Sequence, residues 1–154
     1  MSHYVIDVDD PRRADVKALL ERHLAFCKST SPPDDVHALE IDGLLDPAVT
    51  FFALRRDGEL LGVGALKDLD PTHGEIKSMH TADRARGAGV GRAIVEHLLA
   101  VAAARGCRRV SLETGSMEAF APARALYASV GFRPCGPFAD YRESPNSTCM
   151  TLEL

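Results

Sequence analysis

Residues 84–92 read Arg84-Ala85-Arg86-Gly87-Ala88-Gly89-Val90-Gly91-Arg92, and no other stretch of the chain constrains its architecture as tightly. Before it lies Glu75 to Thr81, which has strand character. After it comes a run from Gly89 to Arg105 whose apolar residues Val90, Ile94, Leu98, Val101 and Ala102 recur at helical spacing, with Gly106 as the stop. Three glycines at alternate positions remove the Cβ atoms that would hold a ligand away from the backbone. A helix that begins in such a turn points its unpaired N–H groups into it, and the helix dipole favours an anion there. Arg86 and Arg92 add formal positive charge, so a pyrophosphate is the natural occupant. The spacing excludes two familiar phosphate loops. A P-loop needs Lys-Ser/Thr after its last glycine, where this chain has Arg92-Ala93. The dinucleotide fingerprint needs glycine at position 92 and a place after the first strand of a doubly wound sheet.

Outward from the turn, the pattern is that of a mixed sheet. Tyr4 to Val8 reads as a first strand, and Asp9-Asp10-Pro11 as a helix start, followed by Val16, Leu19, Leu20, Leu24 and Cys27 at helical spacing to about Lys28. STSPPDD (29–35) is a loop by composition, and Val36 to Leu45 a short second helix. Thr50 to Arg56 and Glu59 to Lys67 flank the hairpin signal Asp57-Gly58. DLDPTHG (68–74) reads as a turn-rich connection. Past the long helix, Val110 to Thr114 is a strand, Ala121-Pro122 opens a last helix that stops before Gly131, and Cys149 to Leu154 alternates as a final strand. A strand–helix–strand unit requires a parallel crossover, so an antiparallel first half becomes partly parallel at the long helix. The expected class is α/β in the mixed, α+β sense, one domain over residues 1–154.

Composition narrows the function. The chain has 154 residues, 45% hydrophobic and 26% charged, which suits one core and is too apolar for disorder. A formal net charge of −4 provides no field for nucleic acid or an anionic membrane. No run reaches the roughly 18–20 apolar residues of a membrane span, and the N-terminus lacks signal-peptide character. Cys27, Cys107, Cys135 and Cys149 are scattered without metal-ligand spacing, so no metal site and reduced thiols in a cytoplasmic setting are expected.

A second motif carries the reading further. Arg86-Gly87-Ala88-Gly89-Val90-Gly91 opening the main helix resembles the acetyl-CoA-binding turn of the GCN5-related N-acetyltransferases (GNATs). Ala125-Leu126-Tyr127-Ala128-Ser129-Val130-Gly131-Phe132 resembles the A-L-Y-x-x-x-G-F segment that follows it in that family. HALEIDGLLDP (37–47), GEIKSMHT (74–81), FAPARALY (120–127), CGPFADY (135–141) and PNSTCMTLEL (145–154) are together similar to a YsnE-like bacterial subgroup. The resemblance runs nearly the length of the chain. It implies the GNAT acyl-CoA N-acyltransferase fold, a central mostly antiparallel sheet with a parallel crossover and flanking helices.

What the resemblance implies for chemistry is direct attack of a neutral amine on the thioester of acetyl-CoA, with no metal. The pyrophosphate is then expected on the amides of Arg86, Gly87, Ala88, Gly89, Val90 and Gly91, with Arg92 nearby, and the pantetheine arm on the backbone of Met79, His80 and Thr81. Tyr127 matches the general acid that protonates the leaving thiolate. An alkylammonium of ordinary pKa is only about 0.04% neutral at pH 7, a handicap of roughly 4–5 kcal/mol, so a base is needed. Glu75 stands where some members of the family place one; its alternative is an ion pair with Lys77 or a neighbouring arginine. His80 is a second candidate base. His23 and His37 fall in the segment that covers the acceptor in the family, and Tyr141 is either an acceptor-pocket aromatic or loop packing. One departure stands out. Phe120 occupies the position, seven residues before Tyr127, where many GNATs have an asparagine that contacts the cofactor arm. The expected acceptor is the amine of a small or amino-acid-like molecule. The alternatives are a protein or peptide amine, or a non-catalytic acyl-CoA sensor. A homodimer is in keeping with the family, although the sequence shows no interface for one.

Overall fold

The computed structural model describes residues 4–30 and 41–154. The strands are β1 (Tyr4–Val8), β2 (Val49–Arg56), β3 (Glu59–Asp70), β4 (His73–Thr81), β5 (Arg109–Gly115), β6 (Arg133–Cys135) and β7 (Ser147–Glu153). The helices are α1 (Ala14–Thr30), α2 (Ile41–Leu44), α3 (Val90–Ala104) and α4 (Ala121–Val130). All strands join one sheet in the order β1-β2-β3-β4-β5-β7-β6. β1 to β4 form an antiparallel meander, β4 and β5 are parallel across the α3 crossover, and β5, β7 and β6 are antiparallel again.

Apolar residues on adjacent positions of β2 and β3 are buried on opposite faces because both faces are covered. Phe52, Leu54, Leu61 and Leu66 pack beneath Ile94, Leu98 and Ala102 of α3. Phe51, Ala53, Val63 and Ala65 pack beneath Val16, Leu19 and Leu20 of α1 and Leu44 of α2. Arg55 pins the start of α1 to β2, with its guanidinium 3.0 Å from Asp9 and 2.7 Å from Asp15. The seat of α3 is set by two glycines. A Cβ at Gly62 would lie 2.8 Å from Val90 Cγ1, and one at Gly64 would lie 2.7 Å from Ile94 Cγ2. The helix therefore rests directly on the β3 backbone, and this fixes the height of its N-terminal turn above the sheet.

Several boundaries differ from the sequence reading. DLDPTHG is mostly ladder: β3 runs to Asp70, β4 starts at His73, and only Pro71-Thr72 turns between them. Asp70 closes that turn by accepting the Thr72 N–H at 2.8 Å, so an aspartate read as loop is a strand end. β6 follows directly on Phe132, which leads into it from the core. It contains Pro134, but it lies at the sheet edge beyond β7, where a missing N–H costs little. α1 begins at Ala14, and Pro11 sits in the preceding turn, where Asp10 caps the Arg12 N–H at 2.9 Å. Of the expected second helix, Ile41–Leu44 is helical, Leu45 lies in the turn that follows, and residues 36–40 lie outside the described residues.

Candidate active site

The parallel pairing of β4 with β5 runs from His73↔Arg109 to Ile76↔Leu112 and stops there. Just beyond, β4 bulges. Ser78 adopts a positive φ of 55°, and the β3 ladder steps from Val63 to Ala65 while β4 steps from His80 to Lys77. A bulge bends its strand and increases local twist. The two strands part, and a cleft of about 600 Å³ opens between them. Lys77 to Thr81 form one wall, Glu113 to Gly115 the other. Ala123, Leu126 and Tyr127 of α4 line it as well, with the glycine turn, Phe26 of α1, Phe120 and Tyr141.

The glycine turn contributes donors rather than a cavity. Gly87 and Gly89 have φ near +80°, a conformation that side-chain-bearing residues resist, and a Cβ at either would meet nothing. Their identity is thus required by the path of the chain. The Arg86 and Ala88 amides are used within the turn, each 3.3 Å from the carbonyl three residues back. Among the described residues the amides of Gly87, Gly89, Val90, Gly91 and Arg92 have no backbone acceptor. Ala88 does not line the cleft, whereas Arg86, Gly87, Gly89, Val90, Gly91 and Arg92 do. The turn therefore offers alternate amides followed by the first turn of α3. Arg92 is held to Ser129 Oγ at 2.6 Å and Arg86 to Asp83 at 3.2 Å, both near the surface.

Met79, His80 and Thr81 line the cleft. So does Tyr127, which is buried and edge-on to Phe132 at 6.0 Å between ring centroids; burial raises its phenol pKa well above the ordinary range. Burial has the opposite effect on His80, whose pKa falls to about 4, helped by the positive charge of Arg86. A group with that pKa is neutral at pH 7 and a weak base, which disfavours it for the acceptor's proton. Between pH 6.5 and about 4 the unfolded chain therefore binds a proton at this site that the folded chain does not. Stability is expected to fall as pH drops through that window, and His80→Gln should flatten the fall in chemical denaturation series.

Glu75 does not line the cleft. It is buried, and its Oε2 accepts hydrogen bonds from Lys77 Nζ at 2.9 Å and Tyr141 Oη at 2.5 Å. Lys77 Nζ also lies 2.9 Å from Tyr141 Oη, and both Lys77 and Tyr141 do reach the cleft. The ion-pair alternative for Glu75 is thus present in the fold, and the pair has a third member from the β6–β7 connection.

Sequence reasoning missed Phe26 and the role of Gly115. The Phe120 ring lies where a Gly115 side chain would be, 2.3 Å from an ideal Cβ, and meets Phe26 edge-on at 5.2 Å. The position expected to be polar is therefore part of an aromatic pair lining the cleft. Ser116, a conceivable substitute for the missing amide side chain, is bonded to Thr148 Oγ1 at 2.6 Å and does not line the cleft. The described side chains of the cysteines Cys107, Cys135 and Cys149 are free thiols, and burial raises the pKa of each. His97 is half-buried and sits edge-on to Phe52 at 4.9 Å, and His37 lies outside the described residues. Among the described residues no group of three or more His, Cys, Asp and Glu is placed to hold a metal ion, and no helix is long and apolar enough to cross a membrane.

Comparison with known proteins gives the family. The model of the acetyltransferase (GNAT) family matches residues 15–132. The uncharacterized N-acetyltransferase YsnE of Bacillus subtilis is 47% identical, covering 97% of this chain and 99% of its own. The uncharacterized N-acetyltransferase YedL of Escherichia coli is 42% identical, covering 98% and 95%. An acyl-CoA N-acyltransferase structure from Klebsiella pneumoniae superposes with a TM-score of 0.80 at 29% identity, covering 98% of this chain and 97% of its own. The chain belongs to the GNAT family, and it is an acetyl-CoA-dependent N-acetyltransferase.

Proposed function

We propose that the acceptor is the amine of a small molecule, and that the cleft between β4 and β5 holds both substrates. The observation that carries this reading is that one space of about 600 Å³ contains the Tyr127 phenol, the parted edge of β4 and the unpaired amides of the glycine turn. The pyrophosphate of acetyl-CoA is assigned to the amides of Gly87, Gly89, Val90, Gly91 and Arg92, with Arg86 contributing charge. The pantetheine arm is assigned to the β4 backbone at Met79, His80 and Thr81, where the edge released by β5 offers strand-like hydrogen bonds. An N–H on the same edge would stabilise the oxyanion formed as the amine attacks the thioester carbonyl. Tyr127 donates to the departing sulfur, and Glu75 is the ultimate acceptor of the amine's proton. A structure of the same fold from Elizabethkingia anophelis, with a TM-score of 0.72 at 18% identity, has acetyl-CoA bound.

Two points support a small acceptor over a protein chain. Phe26 of α1 joins Phe120 in lining the cleft, which makes its wall aromatic and closely packed. A relative from Azospirillum brasilense, 32% identical over the whole of both chains, carries the name IAA acetyltransferase. The test is thiol release from acetyl-CoA against 2-phenylethylamine, other primary alkylamines, amino acids, polyamines and short peptides. Release with one small-amine class is the expected result. Release with peptides alone would move the acceptor to a protein amine, and saturable acetyl-CoA binding without release would favour a sensor.

A further inference from the structure

Glu75, Lys77 and Tyr141 stand between two hollows. On one side is the cleft already described, reached by Lys77 and Tyr141. On the other is a hollow of about 540 Å³, lined by the same two residues together with Glu75, His73, Asp70 and Asp140. Tyr141 thus touches the cleft, touches the second hollow, and donates a hydrogen bond of 2.5 Å to Glu75. A carboxylate that is 2% exposed and does not line the cleft is badly placed to take a proton from an acceptor held there.

We propose that Tyr141 is a proton relay between the acceptor amine and Glu75, and that the second hollow is the route by which the proton leaves. This rests on the transferase reading above. As the acceptor's ammonium gives a proton to Tyr141 Oη, the phenol's own proton moves along its hydrogen bond to Glu75 Oε2. The amine becomes neutral, the tyrosine is restored, and Glu75 becomes a carboxylic acid that water in the second hollow can deprotonate. The two transfers occur together, because burial and the adjacent Glu75 carboxylate both oppose a phenolate at Tyr141. Lys77 holds the pair in register, with Nζ 2.9 Å from each oxygen, and its fixed cation favours the neutral form of an amine nearby. The other titratable groups around the relay, among the described residues, are Lys67, Asp68 and Asp70 on β3, His73 on β4, Glu113 on β5, Asp140 beside Tyr141 and Cys149 on β7.

The test compares the unaltered protein with Tyr141→Phe and Glu75→Gln, using 2-phenylethylamine or whichever primary alkylamine of the panel releases thiol faster. At pH 7 each variant should lose about a hundredfold in kcat/KM for the amine, with acetyl-CoA affinity kept within about twofold. The double variant should be no worse than the poorer single one. The ratio of unaltered to variant rate should then close toward unity by about pH 9.5, as the amine loses its proton without help. A ratio that stays constant with pH marks a structural role and overturns the relay, as does a Tyr141→Phe protein with full activity at pH 7. If the unaltered protein releases no thiol with any alkylamine, the small-amine reading of the acceptor fails and the relay to such an amine with it.

Discussion

Tyr127→Phe is expected to lower kcat about a hundredfold while leaving acetyl-CoA affinity within about twofold. The magnitude follows from what the phenol can do. A thiol titrates near pH 8.5, whereas burial lifts the Tyr127 phenol above its ordinary value near 10. In the proposed role, full transfer of the proton to the departing sulfur would be uphill, and the larger contribution would be a hydrogen bond to a developing thiolate. Such bonds to charged groups are worth about 1.5–3 kcal/mol, and the upper end corresponds to roughly a hundredfold in rate. Phenylalanine keeps the ring that packs edge-on against Phe132, so the fold and the cleft wall survive. Steady-state thiol release together with equilibrium binding of acetyl-CoA measures both halves. Equal losses in rate and affinity would mean that the residue shapes the cleft instead of acting on sulfur.

Gly64→Val should lower Tm by about 6–12 °C. A Cβ at position 64 would lie 2.7 Å from both Ile94 Cγ2 and Met79 Sδ and 3.3 Å from Leu98 Cδ1. Ile94 and Leu98 are both 0% exposed, so neither has space into which to retreat. Overpacking a closed core costs about 1–3 kcal/mol, and valine, with three added carbons pressed among Ile94, Met79 and Leu98, belongs at the upper end. In a chain of this size each kcal/mol shifts Tm by about 2–4 °C. The damage should extend to function, because lifting α3 displaces the amides at its N-terminus and Met79 in the cleft wall. Thermal unfolding with and without acetyl-CoA measures both effects. An unchanged Tm would show that the α3 seat is looser than these distances imply.

Much of this arrangement is legible in the chain because it depends on local chemistry. Asp57-Gly58 takes positive φ at both positions, 51° and 82°, as a two-residue hairpin turn demands. The long amphipathic helix and its glycine turn fall where periodicity puts them, and Tyr127 is buried in one cluster with its α4 neighbours Ala123 and Val130. What escaped depends on distant partners. The strand ends at Asp68–Asp70 look like loop by composition, yet they pair across to β4. Phe120 reads as a lost polar contact, whereas the fold uses it to fill the space above Gly115 and to meet Phe26. Glu75 reads as a base or an ion pair, and only the fold brings Tyr141 to it across 66 positions of sequence.

By itself the sequence determined the order of strands and helices up to α4, the crossover at α3, and the places of the glycine turn and of Tyr127. Each is set by period, by glycine or by neighbours within a few residues, which is where backbone sterics and helix geometry act. The tertiary structure decided that β4 and β5 would part after Ile76 and Leu112, that α3 would sit directly on Gly62 and Gly64, and that Glu75 would lie behind Tyr141. Those outcomes belong to packing and to hydrogen bonds between residues far apart in the chain. Their energies exist only once the sheet has brought the partners into contact.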